Sequence, residues 1–373
     1  KVGLETTDGE PIVISSFQKT PDYKSGRDFN AGDIGEAALG AAVYAKFIAR
    51  DKDINEKSIL DIFAKLEGGE LQGKSNLKGS ITGKSSNDFV YYNLALNMTS
   101  YKAMVGAGTS GEVHPEILGA IRSAVLYANT NEAVSAALQH ILKDENANSV
   151  IVNADGVSDQ TVKADLFLTI DGTTINLLSL KAGDVKQFGQ QSGYNFQALE
   201  SFFSTTFGVN IDNRLKDNFV SGDPVQSFEA IHTIYNAVGK QIQQELAGDI
   251  ASKEVSFIER LYRGISHHAT KSDDKTSMVI LKTTPNVPGF SSLQFGSALR
   301  DAMNDINMYV TYEAPGQRKP AKIEIFGRHK DDNKDLMFLR LRSNFKSEGK
   351  GYVRNIVEMG PLLKKIATVQ KSS

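Results

Sequence analysis

The stretch from Lys163 to Lys181, KADLFLTIDGTTINLLSLK, narrows the folds open to this chain more than any other. Two runs rich in β-branched and apolar residues, 165–170 and 174–180, flank Asp171-Gly172. Asp and Gly both tolerate positive φ, so the pair predicts a tight hairpin turn between two strands. Asp165 opens the first run and Lys181 follows the second, which sets the two side by side at the open end of an antiparallel pair. Opposite charges on strands that are otherwise apolar point to chemistry. The plainer alternative is a surface ion pair, which contributes little.

Composition limits what surrounds this hairpin. With 373 residues, 40% hydrophobic and 23% charged, the chain can build one large or two medium globular domains. A net charge of −2 excludes a uniformly basic nucleic-acid coat and leaves room for a local basic cleft. There is no cysteine, hence no disulfide and no thiolate metal site. No apolar run is long enough to span a bilayer, and Lys1-Val2-Gly3-Leu4-Glu5 has no signal-peptide pattern. These features lead to the expectation of a cytoplasmic, intracellular protein with no membrane partner. The absence of an initiator Met leads to the expectation of a trimmed or processed chain.

Along the chain, 1–30 is polar and reads as an N-terminal arm with one short strand at 11–15. Residues 33–50 are Ala-rich and apolar at helical spacing, with Asp33 as the expected N-cap and Glu36 in the first turn. Taken alone, Glu36 reads as a capping-box or dipole partner. Residues 51–110 read as short helical pieces between loops rich in Gly, Lys and Ser. Gly83-Lys84-Ser85 is not a P-loop, because Lys78 stands where the first glycine is required. Helices are expected at 115–127, with Pro115 at the start, and up to residue 142, capped by Asn129-Thr130. A strand at 149–153 precedes the hairpin. Gln187, Gln190, Gln191 and Tyr194 follow it, before a helix at 196–206.

Residues 228–246 and 253–268 read as helices, the latter ending in His267-His268, whose rings point to different faces and so do not suggest a shared metal. Strands are expected at 277–282, 308–312, 322–326 and 336–342, and a closing helix at 353–369. From 315 to 373 there are 14 Lys and Arg against 6 Asp and Glu, so the rest of the chain is acidic. Alternation in 336–342 puts Arg340 and Arg342 on one face of a strand. A solvated face is the common reason for such a pair; a phosphate-contacting face is the sharper one.

The order of a helix bearing Glu36, a strand bearing Asp165, a strand bearing Ser179-Leu180-Lys181 and a further helix resembles the PD-(D/E)XK, or restriction-endonuclease-like, nuclease superfamily. Gln190-Gln191-Ser192-Gly193-Tyr194 matches the Gln-x-x-x-Tyr found in some of its members. Two departures stand out: Ala164 replaces the Pro of the motif, and Ser179 replaces its second acidic residue. The resemblance covers residues 31–50 and 148–206. It implies an α/β (α+β) fold, with a core of mixed β-sheet flanked by helices at 31–270, a helical insertion at about 51–146 and a basic β-rich C-terminal region at 271–373 that contacts nucleic acid.

The function it implies is a metal-dependent endonuclease, cutting DNA phosphodiester bonds, of restriction, phage or homing type. Asp165 and Glu36 would hold Mg²⁺, or Mn²⁺ in its place, with the gap left by Ser179 filled by Glu36, by water or by a backbone carbonyl near Leu180. Lys181 would position the attacking water. Gln187, Gln190, Tyr194, Arg340 and Arg342 would bind substrate. Two cuts in a duplex would favour a homodimer. Ser179 also supports a second expectation, a nuclease-like module that binds DNA without cutting it. A third is an unrelated enzyme or scaffold with a chance motif.

Overall fold

The computed structural model describes residues 29–372 apart from 73–75, 155–163, 185, 193–194, 219–223, 250–254, 272–275, 313–320, 331–332 and 346–352. The expected strand at 11–15 and the site residue Tyr194 lie outside the described residues. In chain order the elements are α1 (Ala31–Ala49), α2 (Glu56–Lys65), β1 (Glu67–Gln72), β2 (Asn76–Ser85), β3 (Asp88–Asn97), α3 (Met98–Ser110), α4 (Pro115–Thr130) and α5 (Glu132–Leu142). Then follow β4 (Ser149–Ala154), β5 (Leu166–Ile170), β6 (Thr173–Ala182), β7 (Gln187–Ser192), α6 (Phe196–Phe207), α7 (Pro224–Ala247) and α8 (Phe257–Thr270). The chain continues through β8 (Thr276–Leu281), β9 (Phe290–Leu293), α9 (Ser297–Asn304), β10 (Ile306–Tyr312), β11 (Lys322–His329), β12 (Leu336–Phe345), β13 (Val353–Met359), α10 (Pro361–Ala367) and β14 (Thr368–Ser372).

The strands form a mixed nine-stranded sheet, ordered β1-β2-β3-β4-β5-β6-β8-β9-β14, and an antiparallel five-stranded sheet, ordered β10-β11-β12-β13-β7. In the larger sheet only β3/β4 and β6/β8 run parallel among the described strands. Each sheet draws strands from both sides of residue 270. The chain is thus a mixed α/β protein, with helices on both faces of its main sheet.

The larger sheet separates two cores. Leu166, Leu168, Leu178 and Leu180 face the first, which contains α1; Met278 and Ile280 face the second, with α6, α7, α8 and the inner side of the smaller sheet. β8 is buried on both faces, with Val279 and Leu281 on the α1 side, as befits a strand in a parallel pair. Helix α1 is buried almost all round: Ile34, Ala37, Ala38, Leu39, Ala42 and Phe47 are at most 1% exposed. A helix apolar on every side must lie between layers, and here it runs between the sheet and α4. The predicted hairpin is present. Asp171 and Gly172 have φ of 48° and 79°, and Ile170 pairs with Thr173 across the two-residue turn.

Three expectations fail. Residues 67–97 are not loops between helical pieces; they hold β1, β2 and β3, and Gly83-Lys84-Ser85 lies within β2. Gly83 fits there because the Tyr44 hydroxyl crosses it, 2.5 Å from where a Cβ would stand. The closing helix at 353–369 is instead β13, the short α10 and β14. Gly360-Pro361 divides it, Pro361 opening a new helix, while the β-branched Ile356 and Val357 sit in a strand paired on both sides. The caps also shift: Asn30 caps α1 and Asn131 caps α5, so Asp33, Asn129 and Thr130 are not caps.

The wall formed by α6 and α8 depends on Gly264, where a Cβ would come 2.1 Å from the Thr206 carbonyl oxygen. Gly264→Ala is expected to cost about 1–3 kcal/mol through overpacking, read as a lowered midpoint in denaturant titration. An unchanged midpoint would refute this close packing.

Candidate active site

The site gathers at the open end of the β5/β6 hairpin. Continuing the pairing of Leu166 with Leu178 sets Asp165 opposite Ser179, rather than beside Lys181 as the two apolar runs suggested. A two-residue turn with unbroken pairing would set Asp165 opposite Leu178; the register shift between Leu168 and Thr169 moves its partner one residue on, towards Lys181. The Asp165 backbone N–H donates to the Leu178 carbonyl at 2.7 Å. The Asp165 carboxylate accepts the Leu180 backbone N–H at 2.6 Å and lies 3.4 Å from the Ser179 hydroxyl. A carboxylate held by a backbone donor keeps one fixed orientation. The Lys181 ammonium donates to the Leu180 carbonyl at 3.0 Å, so the expected metal-ligating carbonyl already serves the lysine.

Helix α1 brings the second carboxylate. Because its cap is Asn30, Glu36 lies in the second turn, where it completes no capping box. Gly35 faces β6, and a Cβ there would lie 2.9 Å from the Ala182 Cβ and 3.1 Å from Leu180 Cδ2. This close approach carries Glu36 to the strand end. Glu36 keeps partial solvent exposure, yet its carboxyl is pushed up to about 8, first by burial and then by the charges of Asp165 and Asp33; Lys181 opposes them. Asp33 itself accepts a hydrogen bond from the Asn97 amide. Three carboxyl groups and one ammonium therefore share a single electrostatic environment. The sequence treated Asp33 only as a cap, although its i−3 spacing from Glu36 places both on one helix face.

Beside this cluster opens a cleft of about 810 Å³, which meets it at Asn30 and Lys181. Gln187, Gln190 and Gln191 of β7 line one side, and Ser201 and Thr205 of α6 another. Thus Gln187 and Gln190 share a cleft with Lys181, as expected; their side-chain amides bond each other at 2.7 Å. That these glutamines belong to a strand was not expected. β7 joins the smaller sheet through β13, with Gln190 opposite Ile356.

The third wall was missed altogether. His267, His268 and Lys271 at the end of α8 line the cleft. The Thr206 hydroxyl donates to the Phe202 carbonyl at 2.6 Å, so its oxygen accepts from His268 Nε2–H at 2.8 Å. Phe188, Phe202 and Gly189 pack around that ring. No spacing rule links residues 187 and 268, so only the folded chain reveals the wall.

Arg340 and Arg342 do share a face of β12, but they stand among carboxylates. Arg340 pairs with Glu324 at 2.6 Å and Glu358 at 3.4 Å, and Arg342 with Glu358 at 2.9 Å. Glu324 and Glu358 are at most 9% exposed, so these arginines balance buried charge within the sheet.

Among the described residues no group of three or more His, Asp or Glu side chains is placed to hold a metal ion. Glu36 and Asp165 provide two hard oxygen ligands, which suits Mg²⁺, an ion that keeps several waters and takes only one or two carboxylates. Also among the described residues, no helix is long and apolar enough to cross a membrane. Comparison with family models, with curated proteins and with solved structures finds no match.

The raised pKa of Glu36 has a definite sign. Its folded value, about 8, exceeds its ordinary value of 4.5, so the folded chain holds the proton more tightly. The stability this contributes is complete below pH 4.5, falls as pH rises towards 8 and is gone above it. In chelator, Glu36→Gln should melt at a higher temperature than the wild type at pH 9 and at the same temperature near pH 4. Equal melting at pH 9 would contradict the crowding of charge.

Proposed function

We propose that this chain is a metal-dependent phosphodiesterase that cuts DNA, with a restriction-endonuclease-like core. One observation carries the reading: the Asp165 carboxylate, fixed by the Leu180 N–H, stands at the hairpin mouth where α1 delivers Glu36 and β6 delivers Lys181. The order of elements adds support. A carboxylate-bearing helix, an antiparallel pair carrying Asp and x-Lys, and later helices leading to a strand parallel to β6 follow one another in the chain.

Each side chain has a task in such a reaction. Asp165 and Glu36 would hold the divalent ion. Bound there, the ion would supply Lewis-acid withdrawal of charge from a phosphoryl oxygen. The Leu180 N–H keeps Asp165 from rotating away. Lys181 would orient the attacking water and stabilise negative charge as it develops on the phosphate. Ser179 is fully buried opposite Met278, where a third carboxylate would be costly to ionise beside two others. Gln187 and Gln190 would position the strand leaving the reacting phosphate.

The test is Mg²⁺-dependent nicking of supercoiled plasmid, with Mn²⁺ as a second metal. Asp165→Ala and Lys181→Ala are each expected to lower the rate by about 10²–10³-fold, the usual consequence of removing one electrostatic group from such a site. Equal cutting by wild type and variants would overturn the reading. Ser179 supports a second reading, a core that binds DNA but does not cut it. A wild type that binds plasmid and leaves it intact under both metals would decide for that one.

A further inference from the structure

We propose that Lys282, Lys364 and Lys371 form the surface that grips the nucleic-acid backbone, in place of the arginine pair on β12. The choice of polyanion rests on the phosphodiesterase reading; the surface itself rests on the register of the larger sheet. Lys181 pairs with Ile280, Ile280 with Ser291, and Ser291 with Lys371, so one row crosses β6, β8, β9 and β14 with all four side chains on one face. At the usual strand spacing, Lys181 and Lys371 lie about 14 Å apart along that row. Lys282 is two residues beyond Ile280 on the same face, and the Gly183 N–H bonds the Leu281 carbonyl, which brings the end of β6 beside it. Helix α10, whose Leu362 and Leu363 belong to the second core beneath this face and which packs on β12, carries Lys364.

The electrostatics agree with the geometry. Lys364 is held below the ordinary lysine range, first by partial burial and then by Lys371 and Lys282, while Asp184 alone works against them. Of the charges that act on Lys364, two are ammonium groups and one is a carboxylate. Unlike Arg340 and Arg342, none of the three is in an ion pair among the described residues. A polyanion laid across them would relieve the repulsion, whereas the arginines would first have to leave Glu324 and Glu358. Ile280 and Ser291, in the middle of the row, are buried, so the lysines would meet a strand at the sheet end that also carries Lys181.

The experiment measures the binding of a fluorescent DNA duplex in chelator from 50 to 300 mM salt, without catalysis. Wild type is compared with Lys282→Gln/Lys364→Gln/Lys371→Gln and with Lys57→Gln, an exposed lysine of α2. Losing three phosphate contacts is expected to reduce the slope of log K against log salt by about 2.7, while Lys57→Gln keeps the wild-type slope. If the triple variant unfolds, the exposed pair Lys364→Gln/Lys371→Gln should still reduce the slope by about 1.8. An unchanged slope in folded lysine variants, or no salt-dependent binding by wild type, overturns the proposal. Lysine-dependent binding with no cutting under Mg²⁺ or Mn²⁺ upholds the surface and removes the phosphodiesterase reading alone.

Discussion

The contact between Gly35 of α1 and the Leu180–Ala182 segment of β6 determines where every charged group of the site can stand. With no side chain at 35, the helix settles onto the strand until a Cβ would touch both Ala182 and Leu180. The next residue is Glu36. The same strand segment offers the Leu180 N–H to Asp165 and places Lys181 one residue on. A wider gap would separate the carboxyls, relieve their repulsion and leave an ordinary half-buried helix face. The electrostatic tension of the site therefore arises from apolar packing, which drives the helix down despite it.

That packing also fixes what surrounds the site. Because α1 fills one side of the sheet, Ser179 and Lys181 must face the other, where α6, α8 and β7 meet. The cleft is thus bounded by elements from distant parts of the chain: β7 belongs to the smaller sheet, and α8 ends against β7 at Gly189 and His268. Glu36 and Asp33 come from α1, Asp165 from the hairpin end, and amides and cations from the opposite side. Such a division suits a ligand that carries negative charge and hydrogen-bonding edges together.

Much of the site was legible in local sequence, because it depends on short-range rules. Asp171-Gly172 can turn in only a few ways, and its strands carry Asp165 and Lys181 wherever they go. The Ala-rich run at 33–50 could only be a buried helix. What could not be read depends on pairing between distant segments. The one-residue slip near Leu168 moved the partner of Asp165 from Leu178 to Ser179, two residues short of Lys181. The glycines at 79 and 83 suggested loops, but they serve strands crossed by Tyr101 and Tyr44. Residues 353–359 have mixed propensity, and a place between β12 and β7 overrides it. The arginines of β12 share a face, as alternation required; only tertiary structure shows that Glu324 and Glu358 occupy them.

The central claim is that two carboxylates, Asp165 and Glu36, converge on one divalent ion at the hairpin mouth. Crystals soaked in Mn²⁺ and measured at its absorption edge test it most directly. The account predicts an anomalous peak within about 2.0–2.3 Å of an oxygen from each carboxylate, a spacing typical of small hard cations. A peak elsewhere, or none at Asp165 at saturating Mn²⁺, would contradict it.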